Sequence, residues 1–160
     1  MKLLVLSDSH GREDYVTAIV YDHLDCDAIL HCGDGCNDLD IVKGLPDWGD
    51  RPILQVRGNC DFGSELPVRL MPDFGDYHFY LTHGHMQQVK YGLDYIRLDA
   101  QRQGRDVVVF GHTHIPTEAY EDGVYLFNPG AAYKGRYGLI DIRPATILFS
   151  HGELAKMDTF

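Results

Sequence analysis

No stretch of this 160-residue chain approaches the ~18–20 uninterrupted apolar residues that span a bilayer, so no membrane segment is expected. The opening "MKLLVLSDSHG" meets polar residues after about five apolar ones and lacks a small-residue cleavage site. It reads as a first strand, not a leader, and the expected location is the cytoplasm. Cations are scarce: 14 Lys and Arg stand against 24 Asp and Glu, a net charge of −10. That deficit argues against a nucleic-acid polymer held by phosphate neutralisation. It permits a small anionic substrate where bound cations reverse the sign locally. No C-x-x-C joins the four cysteines (Cys26, Cys32, Cys36, Cys60), and Cys26 and Cys32 flank or lie in an apolar run, which suits buried free thiols. There is no G-x-S-x-G elbow for a serine hydrolase built on Ser7 or Ser9, and no G-x-x-x-x-G-K-[ST] phosphate loop. Nor is there a repeat, a low-complexity tract or a linker, so residues 1–160 are expected to form one domain.

What is there is a run of short elements. Residues 2–7 read as a buried strand, 12–24 as a helix, 28–32 and 53–56 as two more strands, with a short helix near 37–44. This alternation predicts a parallel α/β sheet with right-handed crossovers. In the second half, 67–71 and 77–82 flank "PDFGD" as a hairpin, and 88–103 look helical. A strand at 106–110 follows, then hairpins at 117–127 and 137–149. Strands with fewer helices predict a second, more antiparallel sheet packed on the first. A loose tail is expected after Glu153.

Metal-type residues recur at one place in this pattern. Asp8-Ser9-His10 follows the first strand and Gly33-Asp34 the second. Gly58-Asn59-Cys60-Asp61 follows the third, His83-Gly84-His85 the strand at 77–82, and Gly111-His112-Thr113-His114 the strand at 106–110. Ligand sites of open α/β sheets lie beyond the carboxyl ends of strands. Each cluster alone is ordinary loop composition, but five at predicted strand ends point to one site. Asp8, His10, Asp34, Asn59, His83, His112 and His114 make seven candidate metal ligands. With Asp34 bridging, they divide four and four around two divalent ions, and a shared carboxylate offsets the repulsion between ions ~3.5–4 Å apart. Asp8 and His10 are i and i+2, so in extended chain they project the same way, as would His112 and His114. The mixed donors suit Mn, Fe, Co, Ni or Zn better than Ca or Mg.

The ordered series D-x-H, GD, GN-x-D, HGH and GHTH resembles the calcineurin-like metallophosphoesterases over roughly residues 1–143. In length and in "GNCD" it is similar to the small YfcE-type phosphodiesterases. The resemblance implies a two-sheet αββα sandwich. It also implies two divalent ions, with manganese placed first and Fe, Ni, Co, Zn or Mg as alternatives. Asp8, His10, Asp34 and His114 would hold one ion and Asp34, Asn59, His83 and His112 the other. A hydroxide bridging the ions would attack a phosphate ester, with Asp34, Asn59, His83, Cys60 and Asp61 at the reacting centre. A diester is placed ahead of a monoester. The family's "NPG" turn is matched by Asn128-Pro129-Gly130. One departure stands out: many relatives have a histidine, oriented by the following acid, where this chain has Cys60, so the usual leaving-group acid is absent.

The competing reading is a non-catalytic scaffold, since a retromer subunit uses this fold to bind partners; complete ligand positions favour the enzyme. The expected partner is a small phosphate-ester substrate, with homo-oligomerisation left open. Arg12 and Arg57 flank the motifs, where phosphate pairing and solvent-facing roles are both open. His85 is a candidate neighbour of the site. Asp61 is expected to brace the Asn59 loop, and His31 to be a strand-end histidine. His23, His78 and His151 show no partners, and Tyr91 and Tyr133 are weak candidates for a cleft wall.

Overall fold

Two β-sheets stack face to face in a computed structural model that describes residues 1–155. The first sheet has the order β11-β10-β1-β2-β3, built from β1 (Lys2–Leu6), β2 (Ala28–His31), β3 (Ile53–Gln55), β10 (Arg136–Arg143) and β11 (Thr146–Glu153). The second runs β4-β6-β7-β9-β8, from β4 (Arg69–Leu70), β6 (Tyr77–Thr82), β7 (Val107–Val109), β8 (Thr117–Glu121) and β9 (Val124–Asn128), with β5 (Asp73–Phe74) paired to β6. Helices α1 (Glu13–Asp22) and α2 (Asp40–Lys43) belong to the first half, and α3 (Asp94–Arg102) to the second.

The layering follows from strand alternation. In β1, Leu3 and Val5 point into a core shared with Phe79, Leu81, Val107, Val109 and Phe127 of the second sheet. Leu4 and Leu6 point the other way, onto Val16, Ile19 and Val20 of α1 and onto Trp48. A strand covered on both faces must be apolar throughout, which is why "LLVL" shows no polar alternation. Tyr80, Val108 and Leu126 do the same for the second sheet against Ile96 and Ala100 of α3. Each such aliphatic side chain contributes about 1.5–3 kcal/mol on burial. Cys26 and Cys32 are buried and unpaired, as their apolar surroundings require.

Four expectations need correction. The hairpin at 137–149 does not enter the second sheet. Its strand β10 pairs antiparallel with β1 (Lys2↔Asp141, Leu4↔Leu139), so it completes the first. The second sheet is consequently parallel at its centre, β6-β7-β9, with antiparallel strands only at its edges. The strand predicted at 67–71 shortens to β4, and β5 forms within the predicted turn "PDFGD"; Pro72, with no N–H for the ladder, separates the two short pieces along β6. The helix predicted at 88–103 breaks at Gly92 (φ +147) into a 3₁₀ turn, Val89–Tyr91, and α3. Of the expected tail, Leu154 is docked, its N–H donating to Gly135 O at 2.8 Å, and residues 156–160 lie outside the described residues.

Candidate metal centre

Parallel pairing within each sheet sends the carboxyl ends of β1, β2 and β3, and of β6 and β7, to loops that meet between the sheets. Each carries one of the five motif clusters. Asp8 and Asp34 are buried, His83 is wholly so, and His10 is exposed at the mouth. Asp8, His10 and His114 offer one ligand atom each within 4.8 Å of one another, and so do Asp34, His83 and His112. Those triads are subsets of the two ligand sets that the sequence implied.

The local backbone is not extended. Asp8, His10, Asp34, His112 and His114 all have positive φ, from +46° to +68°. The expectation that residues i and i+2 project together from an extended chain is therefore wrong. The chain curls around the site in left-handed steps, each costing about 1–3 kcal/mol unless the surroundings enforce it. They do: Asp8 N–H donates to Gly33 O at 2.9 Å, and His10 N–H to Asp34 O at 3.0 Å. Glycine is required where loops touch. A Cβ on Gly58 would collide with the Asp34 carboxylate, and one on Gly111 with the Ser7 hydroxyl.

Hydrogen bonds orient every anchor. Asp8 Oδ2 accepts from Ser7 Oγ (2.6 Å) and His112 N (3.0 Å), which leaves Oδ1 facing His114 Nε2 (3.1 Å), His10 Nε2 (3.6 Å) and His83 Nε2 (3.9 Å). Asp34 Oδ1 accepts from Cys60 N (2.8 Å). Its Oδ2 lies 3.2 Å from His83 Nε2 and 3.9 Å from His10 Nε2, between the two triads. His83 Nδ1 donates to Cys32 O (2.8 Å), which fixes the tautomer and aims Nε2 at Asp34 Oδ2 and at His112 Nδ1, 3.2 Å away. Three acceptors thus converge on one point, and one cation satisfies them all. This donor set of carboxylate and imidazole fits a divalent transition-metal ion.

Charge follows the geometry. Burial works against ionised Asp34, but hydrogen bonding and charge from His83 outweigh it and hold the carboxyl well below its usual range. His83 is raised: Asp34 and Asp8 overcome its burial. His112 is pushed down to about 4 by burial, with His83 and Lys90 adding to the effect.

Asp61 braces, as expected, and more than one loop. Oδ2 accepts from Asp34 N and Gly58 N, both at 2.8 Å; Oδ1 accepts from Gly35 N (2.9 Å) and Cys36 N (3.1 Å). Cys60 is exposed at the mouth, its sulfur grouped with His10 and Asp34 within 4.8 Å. Asn59 is exposed with Nδ2 3.5 Å from Cys60 Sγ, and among the described residues no side-chain hydrogen bond joins it to the imidazoles. The His85 ring lies 5.4 Å from that of His83, and its buried Nδ1 has no hydrogen-bond partner among the described residues. Tyr133 stands edge-on to His10 and His114, whereas Tyr91 lines a separate cleft. Arg12 is held by Asp14, and Arg57 reaches Ser64 O. His23, His78 and His151 do have partners: Ile19 O, Asp73 and Asn128 O. Three supports were missed in the sequence: Ser7 holds Asp8, the Cys32 carbonyl holds His83, and Asp38 takes Gly11 N (2.9 Å). A fourth lies in the "NPG" turn that the sequence showed, where Asn128 Nδ2 ties Gly111 O (3.1 Å) to Thr113 Oγ1 (3.0 Å).

His31 is a strand-end brace. Its Nδ1 accepts from Gly33 N (3.1 Å), so the proton sits on Nε2, which donates to Ser9 Oγ at 2.9 Å. Protonating Nδ1 would oppose two donors, and burial already lowers this histidine from 6.5 to about 4. Between those values the unfolded chain binds a proton that the folded one refuses, so stability from this group is present above 6.5 and lost as pH falls toward 4. The expected loss is about 3 kcal/mol, opposed in part by the raised His83. Ring titration by NMR in chelator should leave His31 neutral down to pH about 4. A midpoint near that of a free histidine, ~6.5, would sink this account.

Comparisons with known proteins identify the family and the fold. A family model described as the calcineurin-like phosphoesterase superfamily domain matches residues 1–156. A probable metallophosphoesterase, YsnB of Bacillus subtilis, is 33% identical over 132 residues, covering 82% of this chain and 75% of that one. Phosphodiesterase YfcE of Escherichia coli is 32% identical over 103 residues, 56% of this chain and 52% of that one. A predicted phosphoesterase of Streptococcus pneumoniae superposes with a TM-score of 0.78 at 25% identity, covering 95% of this chain and 88% of that one. Vps29 of Chaetomium thermophilum shares the fold, with a TM-score of 0.77 at 18% identity and coverage of 98% and 90%.

Proposed function

The chain belongs to the calcineurin-like phosphoesterase superfamily, and from that premise we propose that it is a metal-dependent hydrolase of small phosphate esters, with a diester as the preferred substrate. The observation that carries the reading is the pair of ligand triads, Asp8/His10/His114 and Asp34/His83/His112, with Asp34 Oδ2 lying between them. Asp8, His10, Asp34 and His114 would hold one divalent ion, and Asp34, Asn59, His83 and His112 the other. Donor type admits Mn, Fe, Co, Ni or Zn, and the resemblance puts manganese first. When bound, two such ions supply a hydroxide nucleophile at neutral pH and the positive charge that holds phosphoryl oxygens.

The chain's own residues do the rest. Cys32 and Ser7 fix His83 and Asp8, so little reorganisation is left for the moment of reaction. Asp61 pins the 34–36 and 58–61 loops together, which sets the distance between the Asp34 carboxylate and whatever lies beside Cys60. The acidic surface, with a net charge of −10, disfavours a nucleic-acid polymer and leaves a small ester as the partner. Four unpaired cysteines suit a reducing compartment, and we place the protein in the cytoplasm on that ground. Among the described residues no helix is long and apolar enough to cross a membrane.

The test is metal analysis of the purified protein, coupled to a hydrolysis screen of mono- and diesters with added Mn, Ni, Zn or Mg. We expect two equivalents of ion, turnover of an aryl diester, and its loss on chelation. A protein that loads two ions and hydrolyses nothing would be a scaffold, and the hydrolase reading would fall.

A further inference from the structure

Phe62 is 91% exposed, and no core cluster includes it. It sits at the leading corner of a turn closed by Ser64 N–H donating to Asp61 O at 3.2 Å, with Gly63 at φ +73 completing the bend. Both ends of that turn are fixed. Asp61 is held by four backbone N–H groups, and Ser64 O accepts from Arg57 Nη1 at 3.2 Å. A single exposed apolar ring is ordinary on a protein surface, so what sets Phe62 apart is the braced turn that holds it and the cleft it lines.

Phe62 stands beside the candidate site. It lines a cleft of about 370 Å³ whose other residues include His10, Asp34 and Cys60, at the mouth of the metal triads. It also lines a second cleft of about 360 Å³ with Gln55 and Leu66. The first cleft carries the carboxylates of Asp34, Asp38 and Asp61, and among the described residues no lysine or arginine lines it. An anionic extension of the substrate would be repelled there, whereas a flat uncharged group could lie on the ring.

We propose that Phe62 is a stacking platform that selects phosphoesters carrying a planar, uncharged aromatic substituent over those carrying only alkyl groups. The proposal rests on the hydrolase reading for the position of the phosphorus, at the metal triads. It assigns Phe62 to binding and not to the chemical step.

Phosphonates test it without turnover, since the carbon–phosphorus bond is not hydrolysed. Phenylphosphonate and methylphosphonate would be titrated calorimetrically into the manganese-loaded protein. The expected result is tighter binding of phenylphosphonate by about tenfold, in line with the worth of one aromatic stack. Phe62→Ala should abolish that preference with methylphosphonate affinity unchanged, and Phe62→Trp should keep it. Equal affinities in the wild type, no binding of phenylphosphonate, or a preference that survives in Phe62→Ala would each overturn the platform. The hydrolysis screen reads the other claim separately: a preference dependent on Phe62 in a protein that turns over no ester would remove the hydrolase and leave the platform.

Discussion

Asp34→Ala should leave the protein with fewer than two equivalents of metal and lower turnover by at least ~10³-fold, because an ion's worth of charge stabilisation is several kcal/mol. Asp34 is the only residue asked to contact both ions, and its Oδ2 lies between His10 and His83. Asp34→Asn separates two causes. The alanine variant also frees Cys60 N–H, which the carboxylate now accepts, and so loosens the 58–61 loop. The asparagine variant can keep that bond while removing the charge that offsets two cations. It should be nearly as inactive as alanine if charge is what counts. Metal analysis after dialysis, with circular dichroism as a folding check, reads the outcome. Two equivalents held at wild-type affinity by either variant would end the bridging assignment.

A steep dependence on leaving-group acidity is the second expected result. The residue at the usual acid position is Cys60, and a thiol is a poor donor. Without metal, desolvation and the Asp34 carboxylate raise its pKa above the ordinary value, whereas bound cations would favour the thiolate, and neither state is a good proton donor. General acid help is typically worth ~10²–10⁴-fold, so aryl esters should outrun alkyl esters by a comparable margin. Cys60→Ala should keep most activity on an activated aryl diester. Cys60→His is more interesting after the structure. An orienting acid would be needed for the new ring, and Asp61 has no capacity left, since its two oxygens already accept four N–H groups. The gain on poor leaving groups should therefore be small. A leaving-group series for wild type and both variants decides the matter. A shallow slope in the wild type that steepens in Cys60→Ala would identify the thiol as the acid after all.

Much of this was legible because the parallel strands are buried on both faces and so stop abruptly at Gly, Asp or His. The ends of "LLVL", "AILHC" and "VVVF", taken with the two other strand-end clusters, mark the candidate site, and the sandwich follows from the same runs. What was not legible is conformational or remote. Aspartate and histidine do not announce the sign of φ, so the left-handed turns at Asp8, His10, His112 and His114 looked like extended chain. The partner of His83 is a backbone carbonyl, which carries no side-chain signature. The pairing of β10 with β1 joins residues about as far apart as the chain allows, and local pattern cannot report it.

That last pairing has a consequence for how the molecule comes into being. Beside it, Ala132 N–H donates to Ser7 O at 2.8 Å, and Tyr133 N–H to Asp8 O at 3.1 Å. The loop bearing the first ligand is held in part by Gly33 and Asp34, but its clamp is completed only by residues synthesised more than 120 positions later. Such distant closure slows folding and leaves strand edges open meanwhile. A nascent chain therefore carries Asp8 and His10 in an unfinished mould, and on the proposed reading selective metal capture would wait until the segment around Ala132 and Tyr133 has emerged.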